Sequence, residues 1–207
     1  VVDQPDMFRA DGVGEVGDEL DRHYTPDRLA LIICERLAEH ITPPRTIIEP
    51  SVGGGAFARA ARKVWPGVYI IGVDIDPQAE GAKYCDEFIV GDFVELAATG
   101  KLSADMVLGN PPFSGKTDAQ LMRTIAHVRT ACHIGKAACL LLPWGPFGGV
   151  DQWAPIFRGK NAPDNAWPVT GPRPWPEHVR ETAAYLWRGK VQSAHGTLVR
   201  PLPRWKA

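Results

Sequence analysis

The stretch from Thr46 to Trp65, TIIEPSVGGGAFARAARKVW, decides the fold. It opens with a short β-branched run, which reads as a buried strand. Gly53, Gly54 and Gly55 follow within a few residues. Glycine permits a tight turn and lets a ligand touch the backbone. The alanine-rich segment that comes next, from Ala56 to Trp65, reads as a helix. Strand, glycine loop and helix together make the first half of a βαβ unit.

Reading outward, the alternation repeats. VYIIGVDID (68–76), EFIVGD (87–92), ADMVLGN (104–110) and KAACLLLP (136–143) are short hydrophobic strands. Between them lie a short helix in PQAEGAKYC (77–85) and a long one in TDAQLMRTIAHVRTACHI (117–134). Leu121, Ile125, Val128 and Cys132 form one stripe of the long helix. Upstream, TPDRLALIICERLAEHI (25–41) reads as a helix with Thr25 as N-cap, Pro26 at the first helical position and Asp27 in the first turn. The pattern predicts an α/β fold: a mostly parallel, Rossmann-like sheet with helices on both faces.

The bulk properties fit that reading. A chain of 207 residues, 44% hydrophobic, can bury a substantial core in one domain. Residues 1–21 are rich in Asp, Gly and Glu and read as a flexible acidic arm, leaving 22–207 as a single domain. The net charge of −1 is unevenly spread, with seven acids and two Lys/Arg up to Tyr24, and nine Lys/Arg and three acids from Arg158 onward. The basic end is either a solvated surface or a contact for a polyanion. Cys34, Cys85, Cys132 and Cys139 are widely spaced, so neither a metal site nor a disulfide framework is expected. No apolar run approaches the roughly 20 residues that span a bilayer, and no signal-peptide pattern is present, so a cytoplasmic protein is expected. Residues 144–178 lack periodicity and are dense in Pro, Gly and Trp, which predicts a long ordered loop. ETAAYLWRG (181–189) and HGTLVRP (195–201) read as late strands.

In an open parallel sheet, ligands bind beyond the C-terminal strand ends. Three of those ends carry acids: Glu49, Asp74 and Asp92. The loop containing Ser51 and Gly53 lacks the G-x-G-x-x-G spacing of a dinucleotide site. A carboxylate just before it would repel a pyrophosphate and attract an ammonium or sulfonium group. S-adenosyl-L-methionine has both. Asp74 can accept from ribose hydroxyls and Asp92 from an adenine amino group, with Ile75 or Phe93 beside the ring.

The fourth strand ends in Asn110-Pro111-Pro112-Phe113. A conjugated exocyclic amine is planar, and its delocalised lone pair makes it a poor nucleophile. Two acceptors aimed at its hydrogens draw the nitrogen toward tetrahedral geometry. The Asn110 side-chain oxygen and the Pro111 carbonyl can supply them. Each proline restricts the residue before it to extended geometry, so the acceptors are held before substrate arrives. Phe113 offers a face for an extruded base. Ser114, Lys116 and Thr117 are expected to line the lip of the substrate pocket. No metal is required for this chemistry.

YTPDRLA, IIEPSVGGGAF, GVDIDP, GDF and VLGNPPF occur in the order found in the N6-adenine DNA methyltransferases whose N-terminal element precedes the glycine loop. The chain resembles that family over residues 23–113, extending to about 143. The resemblance implies a class I methyltransferase fold and methyl transfer from S-adenosyl-L-methionine to adenine N6 in DNA. It also implies that Tyr24, Thr25 and Pro26 close over the methionine carboxylate. Glu49 then meets the amino end, Asp74 the ribose and Asp92 the adenine, and Phe93 packs on the purine. An RNA base amine and a protein glutamine amide are the alternative acceptors.

Larger members of that family carry a separate target-recognition domain, for which some sixty residues after position 143 leave no room. Selectivity is then expected to be short-range, supplied by a specificity partner or self-association, or largely absent. The candidate contact surface holds Trp144, Trp153, Trp167 and Trp175 among Arg158, Lys160 and Arg173. Mixed aromatics and cations stack on bases and neutralise phosphates; equally, such tryptophans can cover a sheet edge.

Overall fold

The computed structural model describes residues 24–112, 118–144, 157, 161–171, 174, 181–189 and 197–204. Helix α1 spans Asp27–Ala38 and buries Leu29, Ile33 and Leu37 at helical spacing. Its N-cap is Pro26 rather than Thr25, with φ −59° and ψ 135° and no side-chain cap. The Pro26 carbonyl accepts the first helical bond, from Ala30 N at 3.1 Å. Proline already holds the extended geometry that a cap requires, so the helix starts there. It ends before Ile41, where Glu39 N and His40 N turn back to Arg36 O and Leu37 O.

The sheet elements and helices then alternate as β1 (Thr46–Glu49), α2 (Ala56–Val64), β2 (Tyr69–Asp74), a 3-10 turn (Glu80–Tyr84), β3 (Glu87–Val90), α3 (Phe93–Ala98), β4 (Ala104–Gly109), α4 (Asp118–Ile134) and β5 (Gly135–Pro143). β6 (Asn165–Pro168), β7 (Thr182–Trp187) and β8 (Leu198–Val199) follow. Across the sheet, the order is β3-β2-β1-β4-β5-β7-β6-β8. β3 to β5 run parallel, while β7 is antiparallel to both β5 and β6. This is the Rossmann-like α/β architecture that the alternating pattern predicts.

Successive strand residues enter opposite layers of core. Ile47, Met106 and Leu108 pack with α1 and α2, whereas Ile48 and Val107 pack with Phe93, Ile125 and Val128. Both faces are covered, so the strands read as continuous apolar runs rather than as alternation.

The structure adds two elements to the sequence reading. Helix α3 begins at Phe93, where the sequence reading ends a strand, because the Asp92 side chain caps it through Oδ1 to Val94 N (2.8 Å) and Glu95 N (3.0 Å). β6 lies inside the segment read as a long loop. It pairs with β7 and β8 and fully buries Ala166 and Trp167. Four residues beside so many prolines carry too short a pattern to stand out. The acidic arm, residues 1–21, lies outside the described residues.

Candidate functional site

Strand order reverses between β1 and β4, and a crevice opens beyond their C-terminal ends. Glu49 is the last residue of β1, and Asn110 follows the last residue of β4. The backbones approach closely here. A Cβ added to Gly109 would lie 3.0 Å from Pro50 Cδ. Of the residues singled out in the sequence, Tyr24, Thr25, Glu49, Ser51, Gly53 and Asn110 wall one cavity of about 460 Å³. Asp27, Arg59, Glu80 and Tyr84 join them.

Glu49 is 3% exposed, and its Oε2 has no hydrogen-bond partner among the described residues. Burial pushes its carboxyl well above the usual carboxylate range, and the amides of Ala58 and Phe57 and the Arg59 guanidinium only partly counter this. An open acceptor in the wall of a cavity invites a cationic N–H donor. The site therefore fits an α-ammonium group.

The glycine loop is held from below by Asp74. Its Oδ2 accepts from Gly53 N at 2.8 Å and its Oδ1 from Asp76 N at 3.0 Å. Gly53 and Gly55 have φ of +45° and +76°, the left-handed region. Behind the loop, Gly81 N donates to Gly53 O at 2.8 Å. A Cβ on Gly81 would sit 2.6 Å from Gly55 N, so the two backbones meet without room for a side chain. In front, the Tyr24 ring lies against the loop, 3.0 Å from where a Gly53 Cβ would be. Arg59 joins these parts, donating to Gly54 O (2.7 Å) and Asp27 Oδ1 (2.5 Å) with its guanidinium 4.5 Å from the Tyr84 ring centre.

Other expected residues lie elsewhere. Pro26 caps α1. Asp74, Ile75, Asp92 and Phe93 are outside the cavity walls among the described residues. Ile75 is half exposed at the end of β2. Phe93 is buried in the core, 5.6 Å from the His127 ring. Trp144 stacks on the buried Tyr185, at 6.3 Å and 18°. Trp167 is fully buried in β6 against His40, so it covers the sheet rather than facing a ligand. Pro111 is buried and Pro112 half-buried. Phe113, Ser114, Lys116 and Thr117 lie outside the described residues, as do Trp153, Arg158, Lys160, Arg173 and Trp175.

The sequence pattern does not single out Arg59 or Gly81. Arg59 acts on Asp27, 32 positions away, and no local pattern announces such a pair. Gly81 had a signal, since a glycine inside a short helical segment is unfavourable without a packing reason. Among the described residues, no group of three or more His, Cys, Asp or Glu is arranged to hold a metal. Nor is any described helix long and apolar enough to cross a membrane.

No family model matches the chain. The chain is 37% identical over 95 residues to the Type II methyltransferase M.CvrRI of Paramecium bursaria Chlorella virus XZ-6E, covering 44% of this chain and 24% of that protein. It is 37% identical over 98 residues to the Type II methyltransferase M.TthHB8I of Thermus thermophilus, covering 47% and 22% respectively. The matched stretch thus spans about a quarter of these relatives' length. Its fold is similar to that of a protein of Listeria monocytogenes described as a class I S-adenosylmethionine-dependent methyltransferase, with a TM-score of 0.67 at 15% identity, covering 90% of this chain and 68% of that one. The chain has the Rossmann-like architecture of the class I S-adenosylmethionine-dependent methyltransferases.

Proposed function

We propose that this chain transfers a methyl group from S-adenosyl-L-methionine to the N6 amine of adenine in DNA. One observation carries the reading. Glu49, with an open buried oxygen, and Asn110, at the head of Asn-Pro-Pro, wall the same cavity from neighbouring strand ends. The cavity therefore joins a place for an ammonium group to acceptors suited to a planar amine.

S-adenosyl-L-methionine supplies an electrophilic methyl group on a sulfonium. In this reading Glu49 accepts from its ammonium, and Tyr24, Thr25 and Pro26 cover the methionine end. Gly53 and Ser51 leave room at the loop, and Asp74 and Asp92 offer their remaining acceptor capacity to ribose and adenine. Asn110 Oδ1 and the Pro111 carbonyl accept hydrogen bonds from the two N–H groups of the target amine and expose its lone pair. As the nitrogen–carbon bond forms the carbon–sulfur bond breaks, S-adenosylhomocysteine leaves, and the extra proton on nitrogen passes to water. Phe113 stacks on the base, while Ser114 and Lys116 contact the surrounding strand. Fixed acceptors lower the barrier because they need no rearrangement as charge develops, and alignment contributes through proximity. Trp144 and Trp153 form part of the substrate surface.

DNA as the partner is supported by the motif order and by the likeness to two Type II methyltransferases. The test is incubation with methyl-labelled S-adenosylmethionine and, separately, duplex DNA, single-stranded DNA, RNA and a protein extract. Label in DNA that digests to N6-methyl-2′-deoxyadenosine is the expected result. Label confined to RNA or protein would overturn the substrate assignment. Asn110→Ala is expected to abolish transfer with little change in cofactor affinity.

A further inference from the structure

Two consecutive prolines leave the reaction loop without an N–H at positions 111 and 112. The backbone there can be held only through its carbonyl groups. In the reading above, the Pro111 carbonyl faces the substrate amine. The Pro112 carbonyl is the next one along the chain, and Thr124 reaches it from α4. Thr124 Oγ1 lies 2.8 Å from Pro112 O and 3.2 Å from the carbonyl of Gln120, one turn back on its own helix. A threonine hydroxyl has a single proton to donate. The shorter contact takes it, and the Gln120 carbonyl is at best a shared second acceptor.

The donor is well fixed. Thr124 is 1% exposed. Its neighbour Ile125 and, one turn on, Val128 are buried in the same core layer as Val107 of β4. A β-branched side chain on a helix has restricted χ1 freedom. Burial of the Thr124 side chain removes water as a competing acceptor for its hydroxyl, which donates to the Pro112 carbonyl. We propose that Thr124 is a positioning residue of the methyl-transfer site, anchoring the Asn110-Pro111-Pro112 loop to α4 through the Pro112 carbonyl. This rests on the assignment of that loop to the reaction. Thr124 does not touch substrate; it sets where the acceptors stand.

Thr124→Val removes the hydroxyl and keeps the shape, while Thr124→Ser keeps the hydroxyl and removes a methyl. The expected result is a fall in kcat of about 10-fold or more in the valine variant, since small misplacements of reacting groups are costly. Cofactor affinity and KM for DNA should stay within about twofold, and the serine variant should recover most of the rate. A kcat equal to wild type in the valine variant would overturn the anchor. So would an equal loss in both variants, which points to core packing alone. A second measurement stands apart from the reaction. Hydrogen–deuterium exchange of the peptide spanning residues 108–118 should quicken in Thr124→Val and not in Thr124→Ser. Unchanged exchange in the valine variant would overturn the anchor. Wild-type protein that methylates no nucleic acid would overturn the proposed function while leaving the exchange result to judge the contact.

Discussion

Arg59 Nη2 donates to Asp27 Oδ1 at 2.5 Å, tying α2 to the first turn of α1 in the wall of the cavity. The same guanidinium donates to the Gly54 carbonyl at 2.7 Å. Both partners are partly open to solvent, at 29% and 65% exposure, so the ion pair itself contributes little to stability. Its effect is to order the residues that cover the site. Arg59→Ala is expected to weaken cofactor binding about 10-fold while changing global stability by less than about 1 kcal/mol. Arg59→Lys should not rescue it, because an ammonium cannot span two partners as a planar fork does. Isothermal titration with the cofactor and a urea melt on the same samples check both parts.

Glu49 gives a prediction with two signs. Its folded-state pKa lies well above the ordinary value of 4.5, chiefly because burial disfavours the charge. The folded protein therefore keeps the proton that the unfolded chain loses. Stability falls as pH rises above about 4.5 and goes on falling up to the raised value. Glu49→Gln removes that penalty, so the ligand-free variant should melt higher than wild type at neutral pH. It should also bind the cofactor at least about 10-fold more weakly, having lost a charge-assisted acceptor. In wild type, cofactor affinity should rise with pH through the Glu49 titration and release a proton on binding. Calorimetry in buffers of different ionisation enthalpy reads that proton directly.

The contact between Gly55 and Gly81 tests the loop support. A Gly81 Cβ would fall 2.6 Å from Gly55 N and 2.8 Å from Gly53 O, both backbone atoms. Gly81→Ala should thus cost about 1–3 kcal/mol and weaken cofactor binding, since the loop itself must move. Gly67→Ala is the comparison. Its φ is +86° with nothing within 4 Å, so it should cost only the backbone term of about 1–2 kcal/mol and leave binding intact. Equal binding in the two variants would count against the packing role of Gly81.

His127 is 8% exposed beside Phe93, and burial lowers its pKa from 6.5 more than the nearby Arg123 carbonyl and Asp92 raise it. The unfolded chain then binds a proton at pH values where the folded state does not. This contribution to stability is complete above about 6.5 and is lost as pH falls toward the lowered value. His40 shifts the same way, through burial and the nearby Arg36, Arg188 and Arg200. His127→Phe should flatten the acid side of the stability profile, and adding His40→Phe should flatten it further. Melting temperatures between pH 5 and 8 for wild type and both variants give the comparison.

Much of the candidate site was legible because its parts sit at strand ends. Glu49 and Asn110 are marked by apolar runs that stop at a polar residue, and the parallel topology brings such ends together. Asp92 and Phe93 were less readable. Asp92 closes a strand in sequence, yet its side chain caps α3, and an acid before an apolar residue fits either role. The phenylalanine beside it went to the core, where its area is better buried than at the cavity.

The order of strands and helices along the chain was set by the sequence: the glycine turn, the three acids and the proline-locked amide follow from local chemistry and from the two periodicities of strand and helix. The tertiary structure decided which of these meet. Asp74 became a support for Gly53, Arg59 a clamp on Asp27 and Gly54, and Thr124 a partner for Pro112. These contacts join residues that are mostly far apart in the chain, and a one-dimensional pattern has no term for them. The fold sets them, because it brings donors and acceptors from separate elements within hydrogen-bonding reach of one another.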